Sequence, residues 1–195
     1  MTSSAVTAKE GRDPKDRILR AANDLFYREG VHAVGIDRIL KEANAAKASL
    51  YAHFRSKDDL VAAYLETRGT SWKEHVEAQM AKHGGSARER LLLLFDLMEA
   101  WACDSEFRGC PFINAAGELS EPSHPAHAVA KRHRAWMQNL IHDLVRETGV
   151  TNFDNITRSV TILYDGSASV ALVDSNKKAA ATARWAVESL LDSQT

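Results

Sequence analysis

Between Lys47 and Lys57 the sequence KASLYAHFRSK gathers side chains suited to a polyanion. Lys47 supplies charge, Ser49 a small hydroxyl, and Tyr51 and His53 hydrogen bonds of the kind that hold phosphate oxygens. Taken singly, each has a plain structural reading: a solvated lysine, or an aromatic at the edge of a core. Their concentration on one short stretch points to DNA. Two other groups of reactive side chains stand further along. Cys103 and Cys110 flank a loop and could form a thiol switch, although isolated cysteines are usually buried and inert. His124 and His127, with Glu118 and Glu121 just upstream, are the donor types of a metal site but lack a matching set of further Cys or His ligands. The expectation is therefore no metal. With no nucleophile elbow, phosphate loop or dinucleotide fingerprint, it is also no cofactor and no enzyme.

The elements around Lys47 give that stretch its meaning. Ile36, Ile39, Leu40 and Ala43 recur at helical spacing, so 36–43 reads as a helix with one buried face. Asn44 follows, the residue besides glycine that most readily accepts the left-handed backbone a sharp turn needs. A second helix over about 46–53 would bury Leu50 and turn Lys47, Ser49, Tyr51 and His53 outward. Phe54 closes its apolar underside, and Ser56 can cap the next helix at Lys57. Two helices on a three- to four-residue turn match the helix-turn-helix, whose second helix enters the major groove.

The segment Gly30-Val31-His32-Ala33, with Ile39, Ala43, Lys47, Ser49-Leu50-Tyr51, His53-Phe54, Ser56-Lys57 and Leu60, resembles the amino-terminal domain of TetR/AcrR-family transcriptional regulators. The likeness covers about fifty residues, and its L-Y-x-H-F core is specific. It implies a DNA-facing set of Lys47, Ala48, Ser49, Tyr51 and His53, with Lys57 gripping a phosphate; Arg38 is expected at the DNA as well. Three departures stand out. Val34-Gly35 replaces the usual Thr/Ser pair, so that helix start has no hydroxyl to offer. Asn44-Ala45-Ala46 replaces Gly-Val-Ser and removes the serine cap of the recognition helix. Asp37 brings a negative charge that repels phosphate unless Arg38 or Arg55 screens it, or it accepts from a cytosine amino group.

With 195 residues the chain can bury a sizeable core, and 45% hydrophobic with 26% charged residues suits a soluble globular protein. No apolar run approaches the roughly 20 residues of a membrane span, so no membrane partner is expected. The start, MTSSAVTAKEGRD, lacks a signal peptide's apolar core, and two cysteines make no disulfide framework; both favour the cytoplasm. The net charge of −1 is unevenly placed: residues 1–60 carry +2 and the remainder −3. That weak asymmetry fits a small electrostatic footprint at one end, reinforced by dimerisation.

Along the chain, the expected order is a disordered tail over 1–13, a DNA-binding domain over 14–60, and a ligand-binding and dimerisation domain over 61–195. Pro14 opens a first helix that Gly30 stops. The helix from Lys57 runs past Val76, with a possible bend at Gly69-Thr70-Ser71, and His83-Gly84-Gly85 is the clearest break. Ser86 and Glu89 form a capping box ahead of an almost wholly apolar helix. A short buried helix follows Pro111, then long helices over about 125–148, 154–173 and 175–191. No β pattern appears. The fold class is all-α, with about nine helices.

The last two helices present Leu163, Ala168 and Ala171, and Ala183, Val187 and Leu190. Small residues permit close approach, and the apolar surface exceeds what two terminal helices covered on one side would use. A homodimer through these residues is expected; the alternative is that the helices merely cap the chain's own core. The TetR/AcrR resemblance implies the same pairing. It also implies a small, largely apolar or aromatic effector among the middle helices, held by Tyr64, Trp72, Met98, Trp101, Phe112, Trp136 and Met137. The function expected is a ligand-responsive repressor on a pseudo-palindromic double-stranded operator, repression resting on the resemblance alone. Two rivals remain: a small α-helical thiol enzyme, and a dimeric ligand-binding protein without operator binding.

Overall fold

The computed structural model describes residues 13–194. Most of the expected tail lies outside the described residues. Asp13 does not belong to it, because its carboxylate caps the first helix by accepting from the Lys15 amide at 2.9 Å. Nine helices and no strands occur among the described residues: α1 Pro14–Glu29, α2 Ile36–Glu42, α3 Lys47–His53, α4 Lys57–His83, α5 Ala87–Ala102, α6 Pro111–Glu118, α7 Pro125–Glu147, α8 Phe153–Val173 and α9 Ala179–Asp192.

The local signals act as chemistry requires. Gly30 ends α1 at φ +90°, where a side chain would be strained. Ser56 Oγ accepts from the Asp59 amide at 3.1 Å and opens α4. Ser86 and Glu89 form the reciprocal capping box of α5. Helix α4 runs unbroken through Gly69-Thr70-Ser71, so the possible bend leaves no gap in its helical assignment. The last helix begins later than its apolar pattern suggested: Ser175 sits at φ +53°, and the Lys178 amide donates to Asn176 Oδ1 at 3.0 Å, so a turn fills 175–178.

The chain divides into two compact units. One takes the chain up to Gly69 together with Pro111–Ala130; the other takes Thr70–Cys110 and the chain from Lys131 on. Polar ties that the sequence did not reveal join the two segments of the first unit. The His32 amide donates to Glu118 Oε2 at 2.9 Å and its ring Nε2 to the Glu118 carbonyl at 2.7 Å. His124 Nε2 stands 3.3 Å from Asp58 Oδ1. Around these, Ile18, Ala22, Val34, Ile39, Leu50, Leu60, Val61 and Leu65 are sealed from solvent, and Phe112, Ala115, Leu119 and Ala126 are buried as well.

In the second unit α5, α8 and α9 pack on one another. Lys178 meets Glu99 at 2.8 Å, Arg184 meets Asp96 at 3.0 Å and Asp192 meets Arg88 at 2.7 Å, which sets α5 and α9 antiparallel. Ala168, Ala180, Ala183, Val187 and Leu191 join Leu91, Leu94, Phe95 and Met98 in one core, while Ala171 packs with Ala102, Phe107 and Ala179. The residues expected at a dimer interface lie against this core. Ala168, Ala171, Ala183 and Val187 are buried within the chain, and Leu163 and Leu190 are half-buried against the same core. Small side chains here bring α8 and α9 together. The apolar side chains these helices leave to solvent are others: Ile162 at 69%, Val173 at 79% and Trp185 at 67% exposure, with Val170 and Leu172 less so.

Candidate nucleic-acid interface

Helix α3 is short and stands on a single anchor. Leu50 is its only buried residue, wholly enclosed, and Phe54 just beyond its end is buried too. Lys47, Ala48, Tyr51 and His53 are exposed and Ser49 is half-exposed, so the outward face is the one the helical spacing indicates. The turn before it places Asn44 at φ +47°, the left-handed position read from its residue type. Neither α2 nor α3 has a side-chain N-cap, as Gly35 and Ala46 dictate.

Support comes from α1 instead. Arg17 Nε donates to the Ala43 carbonyl and its Nη2 to the Asn44 carbonyl, both at 3.0 Å. No motif marks this residue, because its acceptors are backbone atoms 26 and 27 positions away. Nor does the sequence mark the partners of Glu29 and Glu118, since Arg38 and His32 lie 9 and 86 positions away.

The cations around α3 are not equally placed. Arg38 is held by Glu29 through both guanidinium arms, one contact at 2.8 Å and the second between Nη1 and Oε2. Arg55 forks onto Asp59 at 2.8 and 3.2 Å; the pair holds the Asp59 carboxyl below its usual range and raises Arg55. Both arginines thus have carboxylate partners other than Asp37, which is exposed on α2. Lys57 is half-exposed, its ammonium 5.9 Å from the centre of the Phe26 ring.

The two histidines noted in the sequence make structural hydrogen bonds. His124 Nδ1 accepts from the Ala126 amide at 3.1 Å and so caps α7, while His127 Nε2 donates to the Leu119 carbonyl at 3.0 Å. Among the described residues no group of three or more His, Cys, Asp or Glu is arranged to hold a metal. Cys103 and Cys110 are both thiols, the first exposed and the second half-buried. Of the seven residues expected to hold an effector, five lie in the second unit and two in the first. Trp72, Met98, Trp101, Trp136 and Met137 belong to the core of the second unit, with Trp72 and Trp101 ring centres 5.4 Å apart. Tyr64 packs on Phe26 at 5.7 Å and Phe112 is buried, both in the first unit, where the Glu118 ties keep α6.

Three mutually packed helices ending in an exposed seven-residue helix on a left-handed turn make a helix-turn-helix DNA-binding head. Comparison with known proteins agrees. Residues 18–64 match the profile of bacterial regulatory proteins of the tetR family. A TetR-family transcriptional regulator from Streptomyces coelicolor superposes with a TM-score of 0.87 at 31% identity, over 93% of this chain and 96% of that one. A TetR-type regulator from Streptomyces avermitilis gives 0.81 at 30%, over 94% and 98%. The Bacillus subtilis HTH-type transcriptional regulator LmrA is 27% identical over 70% of this chain and 73% of its own length. The chain belongs to the TetR family. It is a DNA-binding transcriptional regulator and not an enzyme, and no described helix is long and apolar enough to cross a membrane.

Proposed function

We propose that this chain is a homodimeric repressor released from a pseudo-palindromic operator by a small, largely apolar or aromatic effector. The observation that carries the reading is α3: an exposed face of Lys47, Ala48, Tyr51 and His53 on a helix held only by Leu50. Two such helices enter successive major grooves about 34–36 Å apart. The pairing surface is the apolar stripe that α8 and α9 leave to solvent, with Ile162, Val170, Val173 and Trp185 at its centre, in place of the alanines first expected.

The effector site belongs to the aromatic group of Trp72, Trp101 and Trp136 beside Met98 and Met137. An effector shifts DNA binding only by the difference in its affinity for the two states of the dimer. Repression follows the precedent of the Escherichia coli HTH-type transcriptional repressor NemR, 24% identical over 57% of this chain.

The test is a gel-shift titration against the DNA upstream of the chain's own gene at two salt concentrations. Tyr51→Ala and Lys57→Ala should both weaken binding, the lysine change also lowering the salt slope by about one. Unchanged binding in both variants refutes the assigned face.

A further inference from the structure

Helix α3 cannot hold its own direction. It has seven residues, one buried side chain and no capping side chain, and an isolated helix of that length is unstable in water. The turn before it bends through a non-glycine residue at φ +47°. Its carbonyls at Ala43 and Asn44 lie at the C-terminal end of α2, where helix geometry leaves acceptors unused. Arg17, half-buried in the first turns of α1, fills both at 3.0 Å. A guanidinium presents its donors in one rigid plane, so the two bonds fix a direction as well as a distance, and its charge suits the negative end of α2. A lysine at that position could offer only a point charge on a flexible stem.

We propose that Arg17 is the positioning residue of the recognition helix: it locks the α2–α3 turn to α1 and thereby governs discrimination between operator and unrelated DNA, without itself being a phosphate contact. This rests on the reading that α3 enters the groove. Direct readout demands side chains placed to within tenths of an ångström, whereas phosphate attraction tolerates a loosely held helix. Loosening the turn therefore costs sequence preference before it costs general affinity.

The experiment uses the full chain, with Arg17→Lys and Arg17→Gln. Without DNA, amide hydrogen exchange is followed over residues 44–53, with α5, α8 and α9 as internal reference. Exchange in the turn and α3 should quicken about tenfold or more in Arg17→Gln and less in Arg17→Lys, the reference helices staying unchanged. With DNA, affinities for the chain's own upstream duplex and for a scrambled duplex of equal composition are compared. The preference should fall about tenfold in Arg17→Gln, with scrambled-duplex affinity and salt slope nearly constant and partial recovery in Arg17→Lys.

Unchanged exchange in the turn overturns the proposal whatever the DNA result. An equal loss on both duplexes with a salt slope lower by about one also overturns it, since Arg17 would then be a phosphate ligand. If the unaltered chain shows no preference for its upstream duplex, the operator reading fails, and the exchange measurement alone decides whether Arg17 sets the turn. Should Arg17→Gln fold poorly, Arg17→Lys carries both measurements.

Discussion

Glu118 and His32 are joined twice, the amide of His32 to the carboxylate and the imidazole to the carbonyl, across 86 residues of sequence. The contact explains why α6 belongs to the same unit as the DNA-binding head. It also explains Gly30, whose left-handed backbone places a hypothetical Cβ 3.1 Å from Glu118 Oε1.

Gly30→Ala should therefore destabilise the chain by about 1–3 kcal/mol, combining backbone strain with displacement of the Glu118 carboxylate. Denaturant unfolding of Gly30→Ala, Glu118→Gln and the double variant measures it. The two losses should be less than additive, because the residues share one contact. Full additivity would mean that the glycine answers to φ alone.

Glu29 restrains Arg38, one of the expected DNA-facing cations. Exposed ion pairs contribute little to stability, so Glu29→Gln should leave the melting temperature nearly unchanged. Its effect should appear on DNA instead: tighter binding to unrelated duplexes and a salt slope steeper by about one as Arg38 turns to phosphate. Fluorescence anisotropy against random-sequence DNA at several salt concentrations checks it, and no gain would place Arg38 away from the duplex.

Val187 and Trp185 lie two residues apart on α9 and face opposite ways, the first sealed in the core and the second 67% exposed. A charge at each position should then do different things. Trp185→Asp, alone or with Ile162→Asp, should yield a folded chain of monomer mass by light scattering. Val187→Asp should unfold it, since an unpaired buried carboxylate costs several kcal/mol. A dimer surviving the Trp185 and Ile162 changes would move the pairing surface elsewhere.

His133, half-buried beside Trp136 with ring centres 5.6 Å apart, is pushed by desolvation from 6.5 down to about 4. In that window the unfolded chain binds a proton that the folded chain refuses. Stability is therefore full above 6.5 and falls as the pH drops towards 4, by up to about 1.4 kcal/mol per pH unit. Thermal melts between pH 7 and 4.5 should show this slope in the natural chain and a shallower one in His133→Gln.

The amino acids by themselves determined whatever depends on neighbours in the chain. Pro14 and Gly30 bounded α1, Ser56 and the Ser86/Glu89 pair opened α4 and α5, Asn44 marked the turn, and period-3.6 apolar spacing assigned Leu50 inward and Tyr51 outward. These are local matters of dihedral preference, capping and periodicity, and they read directly from residue type. Only the tertiary structure decided which apolar face meets which. The alanines of α8 and α9 could equally have served a partner or the chain's own core, since both bury small residues; in the fold they pack in the core with α5. Long-range polar ties escaped for a related reason. A charged or aromatic side chain carries no mark of its partner, so Arg17 on Ala43 and Asn44, Glu29 on Arg38 and Glu118 on His32 emerge only when the fold brings distant backbone and side-chain atoms within 3 Å or so of one another.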